Sequence, residues 1–171
     1  MGSSDAKPRS RSKVLIVASA AVVALLIAVF VIISQSGSDG HYRVSDGKLT
    51  VNATNLGSFG TVLVTDQGYA LYTFPPDNQS GVTCYDRCAQ AWPPVIVPKG
   101  AKLHAGAGVD AGKLAETTDR DGKQVASYDG WPLYTYLGDV TAGTATGQGQ
   151  FLDGGYWYLI RPDGEIVKPG K

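Results

Sequence analysis

Cysteine and histidine are scarce, two of each in 171 residues, and net charge is absent, with 15 basic side chains against 15 acidic ones. Each scarcity excludes something. Without a surplus of Lys and Arg there is no electrostatic footprint for a phosphate backbone, so no nucleic-acid partner is expected. His41 and His104 stand far apart and far from Cys84 and Cys88. A C-x3-C pair with remote histidines is a poor match to metal-ligand spacing, so neither a metal nor another cofactor is predicted. No G-x-S-x-G, phosphate-binding loop or H-E-x-x-H occurs. No catalytic residue is therefore assigned, and the chain is read as not an enzyme.

One long hydrophobic run does occur. VLIVASAAVVALLIAVFVII follows Lys13, and Ser19 is its only polar residue. Twenty helical residues at about 1.5 Å each cross roughly the 30 Å core of a bilayer, so residues 14–34 predict a transmembrane anchor. A cleaved signal peptide would carry a shorter apolar region, about 7–15 residues, and a small-residue cleavage site, and VIISQSGSDG offers no convincing one. Lys7, Arg9, Arg11 and Lys13 precede the run, opposed only by Asp5. Residues 1–13 are thus a basic tail on the cytoplasmic side, and everything past the anchor lies outside. A lipid anchor would need a cysteine at the end of the apolar run, but the first is Cys84. Residues 35–40 are small and polar and read as a linker.

Beyond it, residues 41–171 carry β signals. Asp-Gly recurs at 46–47, 121–122, 129–130, 153–154 and 163–164, and such pairs suit tight hairpin turns. Their flanks are β-rich: TVLVT and YALYTF around Asp66-Gln67-Gly68, KQVAS and WPLYTY around Asp129-Gly130, YWYLI and EIV around Asp163-Gly164, and HYRV and KLTV around Asp46-Gly47. Thr83-Cys84-Tyr85-Asp86 carries a capping pattern, which predicts one short helix over CYDRCAQA. Trp92 precedes Pro93, so that helix should end there. Residues 95–120, rich in Gly, Ala and Lys, read as the connection between two halves, with room for a strand or a short turn. GQGQ at Gly147 reads as a flexible loop. The fold predicted is mainly β: a two-repeat antiparallel domain after an N-terminal transmembrane helix.

The repeat is explicit. LYTFPPD begins at Leu71 and LYTYLGD at Leu133, and the match extends both ways, with TVLVTDQGYALYTFPPDNQS lying over KQVASYDGWPLYTYLGDVTA. A single hairpin cannot bury a face alone, so two such units should share one core. Tyr-x-aromatic-x-x-Asp occurs at Tyr72, Phe74 and Asp77 and again at Tyr134, Tyr136 and Asp139. CYDRCAQAWPP follows the first; DGKQVASYDGWP precedes the second, and GGYWYLIRPDG follows it. The chain here resembles the bacterial secreted-repeat family, predicted lipoproteins with a Yx(FWY)xxD motif. The resemblance covers about residues 57–164, with repeats at about 57–97 and 117–164. It implies location and architecture, not a reaction. The chain departs from many relatives in lacking the lipid-bearing cysteine, so the transmembrane helix stands in its place.

Side chains alternate along a strand, so Tyr72 and Phe74 share a face, as do Tyr134 and Tyr136. Trp92, Trp131 and Trp157 could join them in an aromatic cluster at the repeat junction. Such a cluster is a core, or else an open strip for stacking a sugar ring or other flat ligand; packing is the commoner use of aromatics. Asp77 and Asp139 end their strands and read as turn formers accepting backbone N–H groups of their own loops. Cys84 and Cys88, in an oxidising compartment, should pair as a disulfide. At i and i+4 of a helix their Cα atoms would lie near 6 Å. The function expected is a non-enzymatic envelope protein, single-pass in the plasma membrane, either structural or binding a cell-envelope ligand or protein partner through aromatic surface at the repeat junction. The alternatives are an extracytoplasmic thiol-redox or metal-handling protein using Cys84 and Cys88, and a hydrolase using Asp77 and Asp139.

Overall fold

A computed structural model describes residues 41–79 and 81–168. The predicted basic tail, the anchor at 14–34 and the linker at 35–40 lie outside the described residues. No helix among those described is long and apolar enough to cross a membrane.

The described domain is built from short strands. In the first half these are β1 (Val44–Ser45), β2 (Lys48–Asn55), β3 (Thr61–Thr65) and β4 (Tyr72–Thr73), followed by one helix, α1 (Arg87–Ala91). Then come β5 (Ile96–Val97), β6 (Lys102–Ala105), β7 (Leu114–Thr118), β8 (Gln124–Tyr128) and β9 (Trp131–Pro132). The chain finishes with β10 (Phe151–Leu152), β11 (Gly155–Tyr156) and β12 (Tyr158–Leu159). The predicted hairpins form. Asp46-Gly47 joins β1 to β2, and Asp129-Gly130 joins β8 to β9 with both residues at positive φ, 49° and 83°. At 121–122 and 163–164 only the glycine adopts positive φ. There the aspartates stay in the ordinary region, and Asp163 accepts the Glu165 N–H across its own turn.

The two halves use the same pairing scheme. β2 pairs antiparallel with β3 in one sheet, and β7 with β8 in another. Leu71 N–H donates to Leu63 O, and Leu133 N–H donates to Ala126 O. Leu63 N–H then reaches Ile160 O, as Ala126 N–H reaches Val95 O. At the centre Tyr72 and Tyr134 exchange both backbone hydrogen bonds, at 2.9 and 3.0 Å. One antiparallel bridge thus joins the repeats through their two signature tyrosines. Both faces of these segments are buried: Leu71 and Leu133 face one hydrophobic cluster, Tyr72, Phe74 and Tyr134 the other.

Three expectations need correcting. The sheets are not wholly antiparallel, because β6 runs parallel to β2 with Lys48 opposite Lys102 and Val51 opposite Ala105. It comes from the supposed connection at 95–120, which holds three strands, β5, β6 and β7. The helix begins at Arg87, not at a Thr83 cap: Asp86 precedes it at φ 53° with no side-chain capping bond, and the Thr83 hydroxyl is engaged elsewhere. It does end before Pro93, with Trp92 as its last cap. Finally, GQGQ is not a loose loop. The Gln148 amide oxygen accepts the Leu159 N–H at 2.7 Å and its amide nitrogen donates to Val167 O, while Gly149 N–H bonds Trp157 O.

Candidate functional site

The signature residues meet across the repeat boundary. Tyr72 leaves the strand of the first repeat, and its hydroxyl donates to Asp139 Oδ2 of the second at 2.6 Å. Tyr134 does the reverse, donating to Asp77 Oδ2 at 2.7 Å. The other carboxylate oxygens face their own loops. Asp77 Oδ1 accepts from the Thr83 N–H at 2.8 Å and the Thr83 hydroxyl at 2.5 Å. Asp139 Oδ1 accepts from the Thr146 N–H and hydroxyl, both at 2.7 Å. Each tyrosine oxygen also receives a backbone N–H, from Gly147 for Tyr72 and from Cys84 for Tyr134. The aspartates do organise their loops, as expected, but half of each carboxylate is spent on the opposite repeat. The Tyr-x-aromatic-x-x-Asp spacing places donor and acceptor on one short segment, pointing to different partners.

Burial sets the electrostatics. Asp77 and Asp139 are 1% exposed, Tyr72 and Tyr134 fully buried. Burial disfavours the charged form and holds the Asp77 carboxyl above its usual range, opposed by the bonds from Thr83 and Tyr134. It pushes both tyrosine hydroxyls up as well; the adjoining carboxylates push them further in the same direction. Both oxygens of each aspartate already accept strong bonds, so a hydrolytic role for the two finds no support.

Behind this lock lies a stack of four rings. Trp92 and Trp157 lie face to face at 4.1 Å with 2° between their planes. Tyr136 covers the outer face of Trp92 at 4.0 Å, and Phe74 stacks on Trp157 at 4.3 Å. Tyr72 and Tyr134 stand edge-on against Trp92 and Trp157 respectively. Offset stacks and edge-to-face contacts are the arrangements that aromatic quadrupoles favour. Gly147 is required here: a Cβ on it would sit 2.4 Å from the Trp92 ring. Of the two readings of the aromatic cluster the stack matches packing and leaves no open strip at the repeat junction, and it corrects the membership of one tryptophan. Tyr72, Phe74, Trp92, Tyr134 and Trp157 are core and face no ligand, with Tyr136 half-buried at the margin. Trp131 does not join them; it packs, half-buried, against the other hydrophobic cluster.

Cys84 and Cys88 form a disulfide with Cα atoms 5.3 Å apart, and both are buried. Since α1 starts at Arg87, the bridge runs from the preceding loop into the helix. A five-residue helix has too few backbone bonds to persist alone. The bridge fixes its start, and its end delivers Trp92 to the stack.

Exposed aromatic surface lies elsewhere, in a cleft of about 550 Å³ whose walls include Pro75, Pro76, Trp131, Phe151, Tyr156 and Tyr158. Phe151 is 60% exposed and Tyr156 50%. They are register partners in the β10–β11 hairpin, with rings edge-on at 5.0 Å. Gly155 lets the hairpin press onto the repeat-1 loop, since a Cβ there would lie 2.6 Å from both Phe74 and Pro76. Sequence reasoning missed this surface. The signal was strand alternation: once Trp157 points inward, Tyr156 and Tyr158 must point out.

No curated protein and no solved structure matches the chain. A family model described as a secreted repeat of unknown function matches residues 54–96 and 116–161. Those two segments carry the two halves of the Tyr–Asp lock, and the chain belongs to that secreted-repeat family.

Proposed function

We propose that the chain is a membrane-anchored module of the cell envelope whose β domain faces outward and binds a ligand or protein partner without catalysing a reaction. The family description supports an extracytoplasmic domain, and the apolar run at 14–34 supplies the anchor. The observation that carries the binding role is the contrast between a sealed aromatic interior and the open cleft at Phe151 and Tyr156. Monomeric proteins seldom leave contiguous aromatic surface exposed without a use. The thiol-redox or metal-handling alternative draws less support. A reactive thiol sits in an accessible, electropositive setting, whereas Cys84 is 1% and Cys88 8% exposed.

The test uses the full chain in detergent and isolated cell-envelope fragments. Phe151→Ser with Tyr156→Ser should lower co-sedimentation by about tenfold or more, since truncating central aromatic contacts costs at least ~1–2 kcal/mol. Cys84→Ser with Cys88→Ser should retain binding. Equal retention of the cleft variant and the parent would overturn the binding role. A domain spared by protease added to intact cells would overturn its placement.

A further inference from the structure

We infer that the cleft receives a proline-rich segment of another envelope protein in polyproline II conformation. This deepens the binding reading above and rests on it. Six of the lining residues carry rings: Pro75, Pro76, Trp131, Phe151, Tyr156 and Tyr158. Pyrrolidine rings pack flat against such surfaces, and a polyproline segment enters already extended, with little conformational freedom left to lose. The aromatic row suits its repeat. Phe151 and Tyr156 are 5.0 Å apart between ring centroids, and Tyr156 and Tyr158 are 6.0 Å apart and near-parallel. A polyproline turn of three residues advances roughly 9 Å, on the order of the span of that row.

Hydrogen-bonding chemistry selects this occupant over a glycan. Trp131 and Lys168 can only donate; the Tyr156 and Tyr158 hydroxyls and the Asn78 amide donate as well. Among the described residues none of these five side chains spends a hydrogen bond within the protein. Proline lacks a backbone N–H, so a proline-rich segment presents carbonyl acceptors and few main-chain donors. The cleft supplies donors for those acceptors. Sugar hydroxyls donate and accept alike, and are best met by carboxylates beside the stacking ring; among the described residues no carboxylate lines this cleft. Among the described residues its only charged side chain is Lys168, which suits a neutral or mildly acidic segment.

The experiment follows the fluorescence anisotropy of a labelled ten-residue polyproline peptide titrated with the full chain in detergent. A Gly-Ser peptide of the same length and a soluble chito-oligosaccharide serve as comparators. The expected result is saturable binding of polyproline alone, weakened about tenfold by Tyr156→Ala. An unchanged melting temperature would show that this exposed-site variant still folds. Absence of saturable binding, insensitivity to Tyr156→Ala, or Tyr156-dependent binding of the oligosaccharide in place of the peptide would each overturn the inference. If the peptide fails while retention on envelope fragments still depends on Tyr156, only this inference falls. If neither depends on Tyr156, the binding role falls with it.

Discussion

The two repeats share a lock and differ in what they attach to it. Each contributes one tyrosine, one aspartate, one threonine and one stacked tryptophan, in matching geometry. Just before its tryptophan, however, the first repeat carries α1 and a disulfide, and the second carries the β10–β11 hairpin with exposed rings. The shared tyrosines, aspartates and tryptophans are buried, as is the disulfide, whereas Arg87 and Gln90 of α1 and the rings of β10–β11 reach the surface. Duplication here supplies a framework, and the segment ahead of each tryptophan is where the halves diverge.

The equivalence is most directly broken by removing one ring of the stack. Trp92→Ala and Trp157→Ala should each cost about 3–5 kcal/mol in denaturant unfolding, the range for large aromatics lost from a core. Costs that differed by more than about 2 kcal/mol would show that the halves are not equivalent supports.

The next effect concerns the lock. Tyr72→Phe removes the hydroxyl that donates to Asp139 Oδ2, and Tyr134→Phe removes the one that donates to Asp77 Oδ2. Each should cost about 1–3 kcal/mol, the penalty for a buried acceptor losing its partner. The same hydroxyls set an alkaline limit. Their folded pKa values lie above the ordinary 10.0, so above pH 10 the unfolded chain releases protons that the native state keeps. Stability therefore falls as pH rises beyond that point. Unfolding midpoints measured from about pH 9 to about 11.5 in roughly half-unit steps should slope downward. The double Tyr→Phe variant should lose most of the slope, and a flat profile in the parent would contradict the buried pairs.

A smaller effect sharpens the contrast between the segments. Replacing Cys84 and Cys88 by Ser should cost about 2 kcal/mol, because cross-linking so short a loop removes little chain entropy. Hydrogen exchange should quicken at Arg87–Ala91 and not at β10–β11. Smallest of all, Phe151→Ser and Tyr156→Ser should each change stability by no more than about 0.5 kcal/mol, as surface substitutions do. A larger loss on thermal melting would mean that the hairpin supports the core.

Much of the framework was legible in the residues. The Asp-Gly pairs marked real turns, and LYTFPPD with LYTYLGD marked two units that do share a core. Period-two alternation correctly put Tyr72 with Phe74 and opposite Leu71. Other features left no one-dimensional trace. The parallel strand β6 comes from KLHA, which does alternate, exposed with half-buried, but over only four residues, too short a run to stand out between glycines. The Thr83 cap failed because Asp77, six residues upstream, competes for that hydroxyl with a buried carboxylate. Nothing in the spacing of Tyr72 and Asp77 says that each pairs with the opposite repeat; that follows only when the tyrosine strands cross. The cleft was readable in part: YWYLI announces rings on both faces of a strand, and burial of Trp157 decides which face is open.

The crossed tyrosine–aspartate pairs have a consequence for synthesis. Partners lie 57 and 67 positions apart, and each bond closes only when both units exist. As the chain leaves the ribosome, Tyr72 must wait for Asp139, so the earlier half stays provisional until the later one has emerged. A truncated product would keep the Thr83 bonds to Asp77 but lack the Tyr134 hydroxyl that joins the halves, and would be poor at surviving proteolysis.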